Sequence, residues 1–341
     1  MRLNHSEPVG RLLIDLLGAV RARHLLETLR VHEDTHMGHP GTVDAATLAS
    51  ALAALLFDDI LRRVPMASAY VEDQRRAGRR LLLDHGALRT VDANLGALPR
   101  GRAAFARILE PLGYECRATY DLASLKMTGF AYTHRVHPET IPQYFVSELH
   151  TDRFDDPDFT AAVGRVVGSS RDPLSASAVS LLGRLSAEGR LPHECAVRLL
   201  PELVACFDRQ HATPTLSDYE LLRERSAEMA WIATEGNAFN HATDRVDDVA
   251  TVAEAQRRLG RPIKDQIEVS SSGRVLQTAF RAARIERTFL DDDGHVVLRS
   301  VPGSFHEFIS RRRLPDGSLD LAFDASNAQG IFGMTDAGLA G

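Results

Sequence analysis

At 341 residues, with 44% hydrophobic and 25% charged side chains, the chain is long enough to bury one large core or two modules. Its 46 acidic and 40 basic residues leave a formal net charge of −6 without long like-charge blocks, which excludes the electrostatic footprint of a nucleic-acid or anionic-membrane binder. Three widely spaced cysteines, Cys116, Cys195 and Cys206, form no C-x-x-C pair, so neither a disulfide framework nor a thiolate zinc site is expected, and a reducing cytoplasm fits.

Near the N-terminus Leu12, Leu13, Ile14, Leu16 and Leu17 are interrupted by Asp15 and repeat at helical spacing, which reads as an amphipathic helix rather than a signal peptide. No apolar run approaches the ~20 residues that span a bilayer. The helical pattern continues to Arg79, broken at Gly38, Pro40 and Gly41, and makes residues 1–79 a helical preface. Residues 80–156 then read as strand (Leu81 to Val91), helix (Gly101 to Leu112) and three strands (Tyr114 to Leu122, Met127 to His134, Tyr144 to Phe154). A helical insertion follows over 157–236, punctuated by Pro173, Pro192 and Pro214. From 237 to the C-terminus the first order returns. Phe239 to Val246 reads as a strand, Val252 to Leu259 as a helix, Ile263 to Ser270 as a strand, Val275 to Phe289 as a broken strand pair, and His295 to Arg311 as one long final strand.

The repetition holds at residue level. The first strand of one unit carries Asp84-His85-Gly86-Ala87-Leu88-Arg89 and that of the other Asn240-His241-Ala242-Thr243-Asp244-Arg245, both His-x-x-x-Arg. The last strands correspond loosely, Tyr144-Phe145-Val146-Ser147-Glu148 against Gly303-Ser304-Phe305-His306-Glu307, each ending on a glutamate. Strand side chains alternate faces, so each imidazole shares a face with the guanidinium four residues on. Two such units curled into one cup bring His85 and His241 together with Glu307, and place Glu148 as a fourth member. Two imidazoles and one carboxylate leave an octahedral metal open positions, the ligand set expected of non-haem iron(II) oxygenases.

The chain resembles the 2-oxoadipate dioxygenase/decarboxylase family of the vicinal oxygen chelate superfamily. The resemblance rests on Asp84 to Arg89, Tyr144 to His150, Phe239 to Arg245, Val301 to Phe308 and Asn327 to Phe332, in family order across about residues 80 to 335. It implies an α+β fold of two strand-helix-strand-strand-strand units forming one curved sheet cup. It also implies iron(II) held by His85, His241 and Glu307, with Arg89 holding a substrate carboxylate. The implied reaction takes a 2-oxo acid and dioxygen to a shortened hydroxy acid and CO2, as 2-oxoadipate goes to 2-hydroxyglutarate.

Around that set, Arg245, Gln277 and Ser147 are candidate substrate contacts, though Arg245 also has Asp247 and Asp248 as ordinary ion-pair partners. Glu148 is a candidate acceptor for the ring N–H of a ligand histidine. Lys126 and Tyr132 are strand-borne polar groups expected to line the cup, and Arg311 is the ordinary salt-bridge partner for Glu307. His32 and His36 have helical i, i+4 spacing but, with His39, sit at a helix-to-loop junction; His134 and His137 flank a turn and match no repeat position. Two other functions compete. One is a glyoxalase-type lyase or isomerase, for which Glu148 on the metal is the discriminator; the other is a metal-stabilised binding protein for a small acid. An oxygenase acting on a related amino acid in specialised metabolism is a further variant of the first reading.

Overall fold

The computed structural model describes residues 8–32 and 41–324. His36, His39 and the Asn327 to Phe332 segment lie outside the described residues. The preface forms α1 (Pro8–Leu17), α2 (Ala19–Thr28), the short β1 (Thr42–Asp44), α3 (Ala45–Arg63) and α4 (Pro65–Arg76). Asp44 starts α3 by accepting the Thr47 N–H at 2.7 Å, and Pro65 opens α4, where its missing N–H and fixed φ suit the first turn.

The first unit follows as β2 (Leu83–Asp92), α5 (Ala103–Leu109), β3 (Tyr114–Leu122), β4 (Met127–His134) and β5 (Gln143–His150). The insertion contains α6 (Pro157–Val167), α7 (Ala176–Glu188), β6 (Arg190–Pro192), α8 (His193–Ala205), α9 (Leu216–Arg225) and α10 (Ala227–Glu235). Its β6 pairs with β1, fastening insertion to preface. The second unit is β7 (Phe239–Arg245), α11 (Val249–Arg258), β8 (Glu268–Val269), β9 (Val275–Ala279), β10 (Arg284–Leu290), β11 (Val296–Pro302) and β12 (Phe305–Arg311).

Eight strands make one curled sheet in the order β3-β4-β5-β2-β7-β12-β9-β8. β2 and β7 lie antiparallel at its centre, and each runs parallel to the last strand of its own unit, β5 and β12. The expected repeat is therefore a real pseudo-twofold, with its axis near the Gly86–Ala242 pair. The outer face packs on α3, α4, α8 and α11 through residues such as Leu88, Val146, Phe239 and Phe308. The other face packs on the insertion through Ala87, Val91, Phe145 and Leu149 against Phe159, Leu222 and Trp231.

Two strand expectations are corrected. The long final strand is two strands: up to Pro302 the chain pairs with β10, a pairing that the Gly303 N–H still extends by donating to Ala283 O at 2.8 Å, while Gly303 O turns to accept Trp231 Nε1 at 3.1 Å and from Phe305 the chain joins β7 and β9. β11 instead turns back on β10 as a separate antiparallel pair, an insertion between β9 and β12. The strand expected over Ile263 to Ser270 shrinks to the two residues of β8.

Candidate metal centre

Register decides which side chains meet. Across the centre of the sheet one row reads Gln143, His85, Thr243, Glu307, Ala279 and the next reads Phe145, Ala87, His241, Phe305. Cross-strand partners project to the same face, so the two histidines and Glu307 point into one cup. Gly86, between His85 and Ala87, faces the other way; a Cβ there would lie 2.1 Å from the Phe239 ring, so only glycine lets the two central strands approach at this point.

His85 Nε2 lies 3.3 Å from His241 Nε2 and 3.3 Å from Glu307 Oε2, and His241 Nε2 lies 3.4 Å from that same oxygen. All three side chains are buried. Two imidazole nitrogens and a carboxylate oxygen at such separations span the edges of a coordination polyhedron with bonds of about 2.1 Å, where edges run roughly 3.0 to 3.4 Å. Glu307 Oε1 is buried with no hydrogen-bond partner among the described residues, a costly state for a carboxylate unless a cation neutralises it. The residues fit a divalent metal ion.

Electrostatics points the same way. Burial alone would raise the Glu307 carboxyl, but the neighbouring His241 and His85 rings and the Thr243 hydroxyl, which donates to Oε2 at 2.6 Å, pull it below its ordinary value. Burial pushes His241 down to about 3, so it is neutral with a lone pair to give at neutral pH. Against its own burial His85 is raised, by hydrogen bonds to Asp84 and Glu307.

Behind His85 stands a charged knot absent from the expected set. Asp84, fully buried, receives His85 Nδ1–H at 2.9 Å, Arg245 Nε–H at 2.7 Å and Arg311 Nη2–H at 2.8 Å. Although burial opposes ionisation, the two guanidinium groups hold the Asp84 carboxyl well below the usual carboxylate range. With its Nδ1–H directed at Asp84, His85 turns Nε2 into the cup.

The other candidates separate. Arg89 is fully buried, its guanidinium 5.1 Å from the centroid of the Trp231 ring, and Ser147 is its register neighbour on the cup face. Gln277 pairs with Ile309, one step along the same face from Glu307, and donates to Glu268 Oε2 at 3.4 Å. Arg245 is not directed at a ligand: it is spent on Asp84 and on Glu139 O, also at 2.7 Å. Arg311 likewise pairs with Asp84, not with Glu307.

Glu148 pairs with Thr90 and points to the opposite face; its Oε2 takes the Arg102 N–H at 2.6 Å and so closes the N-terminus of α5. Gly101, at φ 55°, leaves room for that carboxylate. The acceptor behind a ligand histidine is thus Asp84, and the pseudo-twofold counterpart of Glu307 is Phe145, three residues before the glutamate that the sequence alignment pairs with it. Tyr132 faces the outer core and accepts from Arg102 at 3.2 Å, while Lys126 sits in a left-handed turn over the Phe154 ring. His32, His134 and His137 stack together away from the cup. Thr243 and Asp84 had a legible signal, nearness to the motif histidines, whereas the pairing of Arg311 with Asp84, 227 residues apart, had none.

A curled sheet of two strand-helix-strand-strand-strand units with a buried His-His-Glu group at their junction defines the vicinal oxygen chelate class of protein. Within that class the 2-oxoadipate dioxygenase/decarboxylase description matches residues 49–330, and the chain belongs to that family. A glyoxalase-superfamily protein from Ralstonia eutropha JMP134 is 51% identical, with 93% of this chain and 98% of that one covered and a TM-score of 0.90. The hydroxyglutarate synthase of Oryza sativa, solved with 2-oxoadipate, shares the fold at 20% identity over 84% of this chain and 91% of that one, with a TM-score of 0.64. That of Pseudomonas putida, also with 2-oxoadipate, does so at 18% identity over 98% and 74%, with a TM-score of 0.55. No curated protein matches the chain. Among the described residues no helix is long and apolar enough to cross a membrane.

Proposed function

We propose that the protein is a non-haem iron(II) dioxygenase/decarboxylase that converts a small 2-oxo acid of the 2-oxoadipate kind into a hydroxy acid one carbon shorter. The observation that carries this reading is the ligand count. His85, His241 and Glu307 converge, whereas the symmetry-related fourth position holds Phe145, which cannot ligate. Three protein ligands leave positions for a chelating substrate and dioxygen; a glyoxalase-type centre needs a second carboxylate on the metal, and no second one joins the group among the described residues.

Iron(II), when bound, supplies those open positions and the electrons that begin O–O cleavage. The chain supplies the rest. Asp84 accepts the His85 Nδ1–H and so turns Nε2 toward the position the metal would take. Arg89, lowered by burial to about 10, keeps its charge at neutral pH and binds a substrate carboxylate in a water-poor setting where that charge is strongest. Trp231 limits its swing, Ser147 offers a hydroxyl beside it, and Gln277 adds an amide on the second unit's wall. Positioning of the two oxygens of the 2-oxo acid against one ion is the main contribution to rate. The balance closes without an external reductant: the carboxyl carbon leaves as CO2, one atom of dioxygen enters the new carboxylate and the other becomes the hydroxyl on the adjacent carbon.

The test is anaerobic reconstitution with iron(II), followed by oxygen-uptake and CO2 assays across 2-oxo acids and related amino acids. Equal molar consumption of oxygen and release of CO2 is expected with a 2-oxo acid. Protein shown to hold iron that takes up no oxygen with any of them would sink the reading.

A further inference from the structure

After β12 the chain turns back over the first unit, and residues 320–323 are held from several sides. Arg311 Nη1 donates to Asp320 O at 2.9 Å and to Ala322 O at 2.8 Å, Gln143 Nε2 donates to Leu321 O at 3.4 Å, and Phe323 N donates to the Tyr120 hydroxyl at 3.0 Å. These bonds place the Phe323 ring edge-on to the His85 imidazole at 4.8 Å between centroids, and 4.8 Å from Phe145. The Arg311 guanidinium lies 5.2 Å from the same ring while its Nε and Nη2 close on Asp84, the acceptor for His85.

The pseudo-twofold explains why a side chain from outside the sheet is needed. In the second unit His241 is walled by Phe305 of β12, 4.7 Å away. The symmetry-related residue in the first unit is Gln143, whose amide is committed to Thr133 and Leu321. Phe323 stands where an aromatic wall would otherwise be missing, and unlike Phe145 and Phe305 it is only partly buried, at the open side of the cup.

Resting on the reading of His85, His241 and Glu307 as the reaction centre, we propose that Phe323 is the specificity-determining wall beside His85. It limits the bulk of the ligand taken on that side, with Arg311 as the residue that positions it. Because it lies on a short segment and not on a strand, its size can change without disturbing the three ligands.

The experiment titrates cobalt(II)-loaded wild-type, Phe323→Ala and Phe323→Trp proteins with alkyl and aryl hydroxamates of graded size, and separately with 2-oxo acids of graded chain length. Binding is read by calorimetry and metal content by elemental analysis. Hydroxamates chelate the metal whatever the natural substrate, so they test the wall; the 2-oxo acids test the substrate reading. Metal content is expected to stay equal in all three. The preference for large over small hydroxamates should rise about tenfold or more in Phe323→Ala and fall in Phe323→Trp, the scale of adding or removing a few methylenes of room. An unchanged size profile in both variants, with metal retained, overturns the proposal. Failure of every 2-oxo acid to bind, beside shifted hydroxamate profiles, overturns the substrate reading and leaves the wall standing.

Discussion

The two His-x-x-x-Arg segments are alike in sequence and opposite in use. In the first, Asp84 precedes the histidine, takes its Nδ1–H and is itself clamped by two arginines. In the second the preceding residue is Asn240, and His241 Nδ1 has no partner among the described residues. The arginines have also parted: Arg89 stays buried in its own cup wall, whereas Arg245 crosses to the first unit and neutralises Asp84. One half thus fixes a ligand's orientation and the other contributes the carboxylate. A duplicated scaffold has become asymmetric, and the asymmetry is what brings three candidate ligands together in place of four.

The largest effects come from removing what only the second half provides. Glu307→Ala or His241→Ala is expected to take metal content to background and to cut turnover by ~10³ or more, since only two of the three converging side chains then remain. Elemental analysis after dialysis checks this; retained metal would overturn the ligand assignment. Next comes repair of the symmetry. Phe145→Glu puts a second carboxylate opposite Glu307, and we expect metal to be retained while oxygen uptake falls by about a hundredfold, because an open position is filled. Undiminished uptake in a variant with intact metal would show that the fourth position is irrelevant to the chemistry.

Separating the arginines is a smaller test. Arg89→Ala should lower kcat/KM by on the order of 10²-fold with little change in thermal stability, the loss expected when a charge-assisted carboxylate contact disappears. Arg245→Ala should act through Asp84 instead, weakening metal affinity by about 10- to 100-fold and lowering stability by roughly 3 kcal/mol. Steady-state kinetics, metal titration and unfolding curves on both variants decide it. Equal effects of the two on all three readouts would mean the sequence repeat carries equal function after all.

That parting also marks where the sequence stopped being legible. The order of elements, the cup and the meeting of His85 with His241 follow from period and repetition, because alternation along a strand fixes facing at once, whereas the choice of Glu307 over Glu148 comes from the family resemblance. Glu148 was misplaced since matching last strands by their glutamates ignores register, and an error of three residues flips the face. Arg245 looked like Arg89 because local spacing is blind to a partner 161 residues away. Phe323 follows the last strand in a segment with no periodicity, so only the folded chain brings it onto His85. The break at Gly303 arises from a tryptophan on the inserted helix, again a tertiary cause.

The last contrast lies between two buried aspartates on the two central strands. Asp84, held low by arginines, stabilises the fold once ionised and loses that contribution as pH falls below the unfolded value of 3.8 toward its depressed native one. Asp244 is the reverse case. Burial raises it to about 7, against the hydrogen bonds it receives from the Tyr70 hydroxyl at 2.7 Å and Leu82 N at 3.1 Å. Near pH 4 and below, it is protonated both folded and unfolded and contributes no pH dependence. Between about pH 4 and 7 the unfolded chain gives up this proton first, so stability falls as pH rises, by about 4 kcal/mol in all if the full shift is expressed. Above pH 7 the loss is complete and the slope vanishes. Asp244→Asn removes the titration while keeping an acceptor for Leu82 and a donor for Tyr70. The difference in unfolding free energy between variant and wild type, measured in urea on metal-free protein, should therefore be near constant below pH 4, grow in the variant's favour up to pH 7, and level off. Taking the difference cancels the opposite slope from His241, which must be neutral in the folded cup. A pH-independent difference would place the Asp244 carboxyl at an ordinary value and dissolve the contrast with Asp84.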